Sequence, residues 1–205
     1  MLYFETQIFI HQIIMKNLAI FASGSGTNAE NIARYFAGSK EIGVKCIIAN
    51  KKNAGVLERA NRLNISSYYF SNVEIKKVDT VIECLNNCQI DYIILAGFLS
   101  LIPAKMIDAF PNRILNIHPA ILPNYGGKGM YGDNVHKSVL SSREKQSGIS
   151  IHYVNEKYDD GTLILQAYCP VSLEDSVKTL ANRIHKLEYR YYPQAIEQVI
   201  LDYSD

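Results

Sequence analysis

Asn116 and His118 sit two positions apart at the end of the run "RILNIHP", which Pro119 closes. Side chains at i and i+2 of a strand share a face, so an amide and an imidazole would stand together at the strand's exit. Pro119 ends regular pairing there. Such a pair can donate hydrogen bonds to an oxygen as it gains charge, which acyl-type transfer requires. A strand-end Asn capping a turn beside a backbone-satisfied His accounts for the same residues. Downstream, "YDDGTLILQ" carries two carboxylates. Asp160–Gly161 reads as turn chemistry, which leaves Asp159 as the spare acid. A carboxylate against His118 favours the charged ring and suits it to oxyanion stabilisation. The chain has no G-x-S-x-G nucleophile motif, so transfer would run directly between two bound substrates.

A third candidate is "ASGSGTNAE", residues 22–30, a glycine-rich turn between a strand and a helix. Gly24 and Gly26 let the backbone approach an anion, and the helix start points N–H groups at it. Thr27 and Asn28 add donors. The same segment fits a dinucleotide fingerprint through Gly24, Gly26 and Ala29. An NAD site wants an acid about 20 positions on, where the sequence reads "ANKKN". An NADP site could use Lys51 or Lys52. A phosphate cradle, a dinucleotide site and a plain tight turn are the three readings.

These residues need a scaffold that brings them to one edge. Short apolar runs alternate with helical patterns from residue 17 to about 118: strands at "NLAIFA", "VKCIIAN", "ISSYYF", "DYIILAGF" and "RILNIHP", with helices between, including one long helix over "VEIKKVDTVIECLNNCQ". That rhythm predicts a single doubly wound α/β fold with a mainly parallel sheet. After 119 comes a glycine-rich loop, then "SGISIHYV" and "TLILQAYCPV", an antiparallel C-terminal extension joined through "DDG". The chain closes in a long helix, interrupted or kinked near Pro193. In an open parallel sheet the 24–28 loop, Asn116 and His118 all lie at the carboxyl edge, where such folds bind ligands.

Length and composition agree. At 205 residues the chain suits one domain. Its 21 basic and 20 acidic residues, net charge +1, argue against nucleic acid as partner. Cys46, Cys84, Cys88 and Cys169 form no zinc spacing, so no metal is expected, and unpaired thiols point to a cytoplasmic location. Residues 1–14, "MLYFETQIFIHQII", are too short to span a bilayer and lack signal-peptide features, so no membrane partner is expected. They read as an N-terminal extension of unknown role, and an extra packed strand is one form it could take. Residues 15–205 read as the domain. The sequence does not choose between a monomer and a homodimer.

"FASGSGTN", "VLERANRLNI", "DYIILAGFLSLI", "ILNIHPAILPNYGG", "YDDGTLILQ" and "LEYRYYP", in this order over residues 15 to 200, resemble the folate-dependent formyltransferases. The "SGSGTN" loop narrows the resemblance to the phosphoribosylglycinamide formyltransferases. The resemblance implies a Rossmann-like formyltransferase fold and transfer of a formyl group from 10-formyltetrahydrofolate to the amine of 5-phosphoribosylglycinamide, in one-carbon metabolism and de novo purine biosynthesis. By the same resemblance Asn116, His118 and Asp159 fall on the catalytic trio, and Gly26, Thr27 and Asn28 on the phosphate loop. Glu188 falls on a contact to the ribonucleotide. Leu99, Ser100, Leu101 and Ile102 fall on the folate pocket, with Asn116, Tyr158 and Asp159 on its other side.

The resemblance also implies roles. Asn116 and protonated His118 donate to the formyl oxygen, while Asp159 keeps His118 charged and relays a proton through water. Ser100 stands where the family commonly has a basic residue, and Thr162 where it usually has Pro. Gly26→Val is expected to weaken phosphate binding with little loss of folding. Methionyl-tRNA formyltransferases share the trio but carry a further C-terminal domain and an Arg-Gly loop where this chain has "NYGGKG". Formyltetrahydrofolate hydrolases add an N-terminal regulatory domain. A non-catalytic nucleotide-binding module leaves the Asn, His and Asp unexplained.

Overall fold

A computed structural model describes residues 15–202. The expectation for residues 1–14 lies outside the described residues. In chain order the elements are β1 (Lys16–Ala22), α1 (Thr27–Tyr35), β2 (Ile42–Ala49), α2 (Gly55–Arg62), β3 (Ser66–Tyr69), α3 (Asn72–Lys77) and α4 (Asp79–Asn87). There follow β4 (Tyr92–Leu95), α5 (Ala104–Ala109), β5 (Ile114–His118), α6 (Asp133–Ser141), β6 (Gln146–Tyr153), β7 (Leu163–Pro170) and α7 (Val177–Asp202).

The strands form one sheet of order β3-β2-β1-β4-β5-β6-β7, parallel through β5 and antiparallel from β5 to β7. The doubly wound fold with its antiparallel extension is therefore present. Successive strand side chains serve opposite layers. Leu18, Ile20 and Ala22 of β1 pack with Ile32 of α1, Val56 of α2 and Ile184 and Ile196 of α7. Ala19 and Phe21 face Ile75, Val81, Leu85 and Met106 of α3, α4 and α5. On β5, Leu115 and Ile117 join the first layer and Ile114 the second. Asn116 and His118 thus share the α3–α5 side with Ile114.

The chain order reverses between β1 and β4, because β2 and β3 lie on one flank and β4 and β5 on the other. Loops leaving the carboxyl ends of β1 and β4 part there and open a crevice. The 23–26 and 96–103 loops are those two.

Four local expectations change. The long helix after β3 is two helices, α3 and α4, divided at buried Val78, whose φ of 63° is left-handed. Ser71 and Glu74 form a capping box that starts α3, and no Gly or Pro marks its end. Among the described residues β3 is an edge strand paired only with β2, and its four side chains are exposed rather than buried. α6 is an added helix between the glycine-rich loop and β6, a stretch with no expected element. Its residues Val135, His136 and Val139 are buried, but its N-terminus has no side-chain cap to announce it.

The fourth change is α7, which continues through Pro193 from Val177 to Asp202. A proline removes an N–H and leaves the carbonyl four residues earlier without its helical donor. That carbonyl belongs to Tyr189, and Asn31 of α1 donates its Nδ2 to it at 2.8 Å. The break in the ladder is filled from the neighbouring helix, which also docks α1 on α7. Replacing Asn31 with Ala should therefore cost about 1 kcal/mol of stability, the usual worth of one such bond. Urea unfolding of the two proteins checks this, and equal midpoints would refute it.

Candidate functional site

One cavity of about 630 Å³ opens at the carboxyl edge of the sheet. Its walls include Gly26, Thr27, Asn28, Leu99, Ser100, Leu101, Ile102, Asn116, His118, Tyr158, Asp159 and Glu188. Ala29, Lys51 and Lys52, the residues that the dinucleotide reading would add, do not line it.

The polar centre is built by β5 and the turn before β7. His118 is 3 % exposed. Its Nε2 donates to Tyr125 O at 2.7 Å, and its Nδ1 faces Asp159 Oδ2 at 3.5 Å, an ion pair when the ring carries both protons. Asp159 Oδ2 also accepts the Gly127 N–H at 2.9 Å. Burial pushes the Asp159 carboxyl up. Hydrogen bonding to His118, the His118 charge and the Gly127 N–H outweigh burial and hold it well below the usual carboxylate range. His152 Nε2, 3.8 Å from Asp159 Oδ1, faces Asn116 instead.

The turn itself differs from its reading in the sequence. Asp159, not Gly161, takes the left-handed conformation, with φ 53°, which Asp tolerates better than most residues. Gly161 is needed for close approach: a Cβ there would lie 1.7 Å from Tyr153 O. The bare glycine lets the turn lie against β6 and so sets Asp159 beside His118.

His152 and His136 have roles that sequence reasoning missed. His152 on β6 is 2 % exposed and pairs across the strands with Asn116. Its Nδ1 donates to Tyr153 O at 2.8 Å, so Nε2 carries the lone pair and accepts from Asn116 Nδ2 at 3.1 Å. The second hydrogen of Nδ2 points to Asp159 Oδ1 at 3.4 Å. The alternation in "SGISIHYV" puts His152 with Ser150 on the face opposite the apolar Ile149 and Ile151, so only the pairing with Asn116 reveals its place. His136 of α6 also lines the cavity, and its buried Nδ1 has no partner among the described residues. Burial first and the His185 charge second lower its pKa. Ser150, buried on β6, donates to Ala120 O at 2.8 Å and accepts from Leu122 N at 2.9 Å and Gln166 Nε2 at 2.9 Å. It fixes the chain that leaves His118.

At the other end of the cavity, Asn28 Nδ2 donates to Glu188 Oε2 at 3.0 Å, and His185 Nε2 lies 4.0 Å from the same oxygen. Gly26 has φ 76°, and a Cβ on it would sit 2.4 Å from Val56 Cγ2. The glycine thus serves packing against α2, so the expectation that Gly26→Val spares folding is corrected: the substitution strains the backbone and collides with the core. On the 96–103 loop, Ser100 Oγ donates to Asn72 Oδ1 at 2.8 Å and accepts from Asn50 Nδ2 at 2.9 Å, while Leu99 N–H reaches Ser23 Oγ at 2.9 Å. Among the described residues no cluster of three His, Cys, Asp or Glu side chains is arranged to hold a metal ion, and no helix is long and apolar enough to cross a membrane.

Burial raises the Glu188 pKa, against lowering contributions from Asn28, His185 and His118. An acid with a raised folded pKa destabilises the fold above its unfolded pKa and is neutral below it. Glu188→Gln should therefore raise the melting temperature at neutral pH, with the gain fading as pH falls below about 4, where Glu is protonated in both states. Melting curves across pH 3 to 8 check this; a gain that grows towards acid would refute it.

The formyl transferase family profile matches residues 16–196. A phosphoribosylglycinamide formyltransferase of Bacillus subtilis is 35% identical over 191 residues, covering 91% of this chain and 95% of that protein. The chloroplastic phosphoribosylglycinamide formyltransferase of Arabidopsis thaliana is 38% identical over 192 residues, covering 91% of this chain and 66% of the relative, so the chain spans just under two thirds of that plant protein. The crystal structure of phosphoribosylglycinamide formyltransferase from Anaplasma phagocytophilum superposes with a TM-score of 0.84 at 29% identity, covering 92% of this chain and 89% of that one. With a matching fold and these relatives, the chain belongs to the formyl transferase family, in its phosphoribosylglycinamide formyltransferase branch.

Proposed function

We propose that this protein transfers the formyl group of 10-formyltetrahydrofolate to the amine of 5-phosphoribosylglycinamide, giving formylglycinamide ribonucleotide and tetrahydrofolate. The observation that carries the reading is the meeting, in one cavity, of the Asn116–His118–Asp159 cluster with the backbone loop at 24–28. A loop of that kind suits a phosphate. The folate lies along Leu99, Ser100, Leu101 and Ile102, with Tyr158 opposite, and the ribose sits by Glu188. Residues 15–205 act as one formyltransferase domain, with 1–14 as an extension, and work in the cytoplasm on small molecules alone. The reaction needs no metal.

In the reaction the amine nitrogen bonds to the formyl carbon, and the carbonyl π electrons move onto the formyl oxygen. The oxyanion then collapses, the carbon–nitrogen bond to the folate breaks, and that nitrogen takes up a proton while the former amine gives one up. Asn116 and doubly protonated His118 stabilise the oxyanion. Their donors are already engaged: both Nδ2 hydrogens of Asn116 by His152 and Asp159, and His118 Nε2 by Tyr125 O. The 3.4 Å bond to Asp159 is the weaker of the Asn116 pair, so the formyl oxygen displaces that one. For His118 to donate through Nε2, the Tyr125 carbonyl has to yield. Asp159 stays ionised, balances the His118 charge and orients a water that relays the amine proton to the departing folate nitrogen.

An assay supplying both substrates tests the reaction, and absence of product would overturn the reading. His118→Ala and Asp159→Asn should each lower kcat by about 10²–10³. The double variant should fall much less than the product of the two effects, since the groups act as a unit. Rates near the parent's in both single variants would refute the assigned roles.

A further inference from the structure

The turn from β1 into α1 has three consecutive carbonyls, and each is tied down by a group that does not line the cavity. Gly24 O accepts the Val56 N–H at 3.1 Å, and Gly26 O accepts the Glu30 N–H at 2.9 Å. Ser25 O accepts Arg59 Nε at 2.7 Å. The first two ties are backbone and do not depend on side-chain identity. The third depends on one residue of α2.

A trans peptide points its C=O and N–H in opposite directions. Holding Ser25 O towards Arg59 therefore turns the Gly26 N–H away from α2 and towards the cavity that Gly24 to Asn28 line. Arg59 also pairs through Nη1 with Glu30. Glu30 places a carboxylate in the first turn of α1, where it would repel an incoming anion. Arg34 at 2.8 Å and Arg62 at 3.9 Å share that carboxylate. Arg59 alone among the three both holds a loop carbonyl and faces Glu30. Its fork of donors suits that double task, and a lysine's single nitrogen does not.

We infer that Arg59, which lines no part of the cavity, is the positioning residue of the phosphate loop, fixing the Ser25–Gly26 peptide so that the Gly26 N–H meets the substrate's phosphate. The inference rests on the formyl-transfer reading for the identity of the substrate. A side chain that merely joins α2 to α1 would affect stability without favouring one substrate over the other.

The test uses Arg59→Lys in the full chain, with Glu30→Gln as the partner variant that removes the ion pair but leaves the tie to Ser25. The KM of the ribonucleotide should rise about ten-fold in Arg59→Lys, the loss of one good hydrogen bond at the phosphate. The folate KM and kcat should stay within about two-fold of the parent, as expected when only binding of one substrate is weakened. Binding of inorganic phosphate, followed by phosphorus NMR, should weaken by a similar factor in Arg59→Lys and hold in Glu30→Gln. Unchanged phosphate binding in Arg59→Lys, an equal loss in Glu30→Gln, or a parallel rise of both KM values would overturn the inference. A parent whose phosphate binding weakens in Arg59→Lys but which transfers no formyl group would instead remove the proposed reaction and leave the role of Arg59 in place.

Discussion

A carboxylate that is nearly out of water is tolerated only if its charge is answered, because desolvating an unpaired ion costs several kcal/mol. Asp159 imposes that demand on this fold. Its side chain is 10 % exposed, and its partners come from separate parts of the chain: the Gly127 N–H from the glycine-rich loop and His118 and Asn116 from β5. Satisfying one charge therefore closes the loop over β5 and brings the amide and the imidazole together. The left-handed turn at Asp159 and the bare Gly161 against Tyr153 are the backbone conditions that let the carboxylate reach them.

The sheet supplies the place where this cluster can work. Because β1 and β4 are neighbours whose following connections run to opposite flanks, the loops after them separate and leave the crevice. β5 is the next strand along, so Asn116 and His118 arrive at the same edge. The antiparallel pairing of β6 with β5 then sets His152 opposite Asn116. Its Nδ1 is held by the adjacent carbonyl, so its Nε2 is an acceptor, and the orientation of the Asn116 amide follows from a ring on another strand.

Much of this was legible in the sequence where the signal is local. The apolar runs of β1, β2, β4 and β5 are covered by helices on both faces and read as such, and Asn116 and His118 declare a shared face by spacing alone. Asp159 was legible by elimination, through the turn chemistry of its neighbours. The illegible parts depend on distant residues. Val78 divides α3 from α4 with no glycine or proline to announce it. "SSYY" has strand character, but its exposure follows from its place at the sheet's edge. Pro193 carries a strong local signal to break a helix, and Asn31, on a different helix, overrides it. His152 earns its place only through register, and Gly26 through contact with Val56, neither of which a local pattern encodes.

The pairing of α1 with α7 bears on how the chain must come together. Asn28 and Asn31, near the start, find their polar partners at Glu188 and Tyr189, 160 and 158 residues later. On a ribosome, β1 to β5 are synthesised long before α7, so early sheet pairing proceeds with one apolar layer uncovered and two α1 asparagines lacking these partners. Such a half-built chain exposes the surface that draws unfolded proteins into aggregates. The end of the cavity where Asn28 meets Glu188 is completed only when α7 docks. An intermediate that has formed most of its strands is thus still without a finished cavity, and the docking of α7 decides when that cavity is complete.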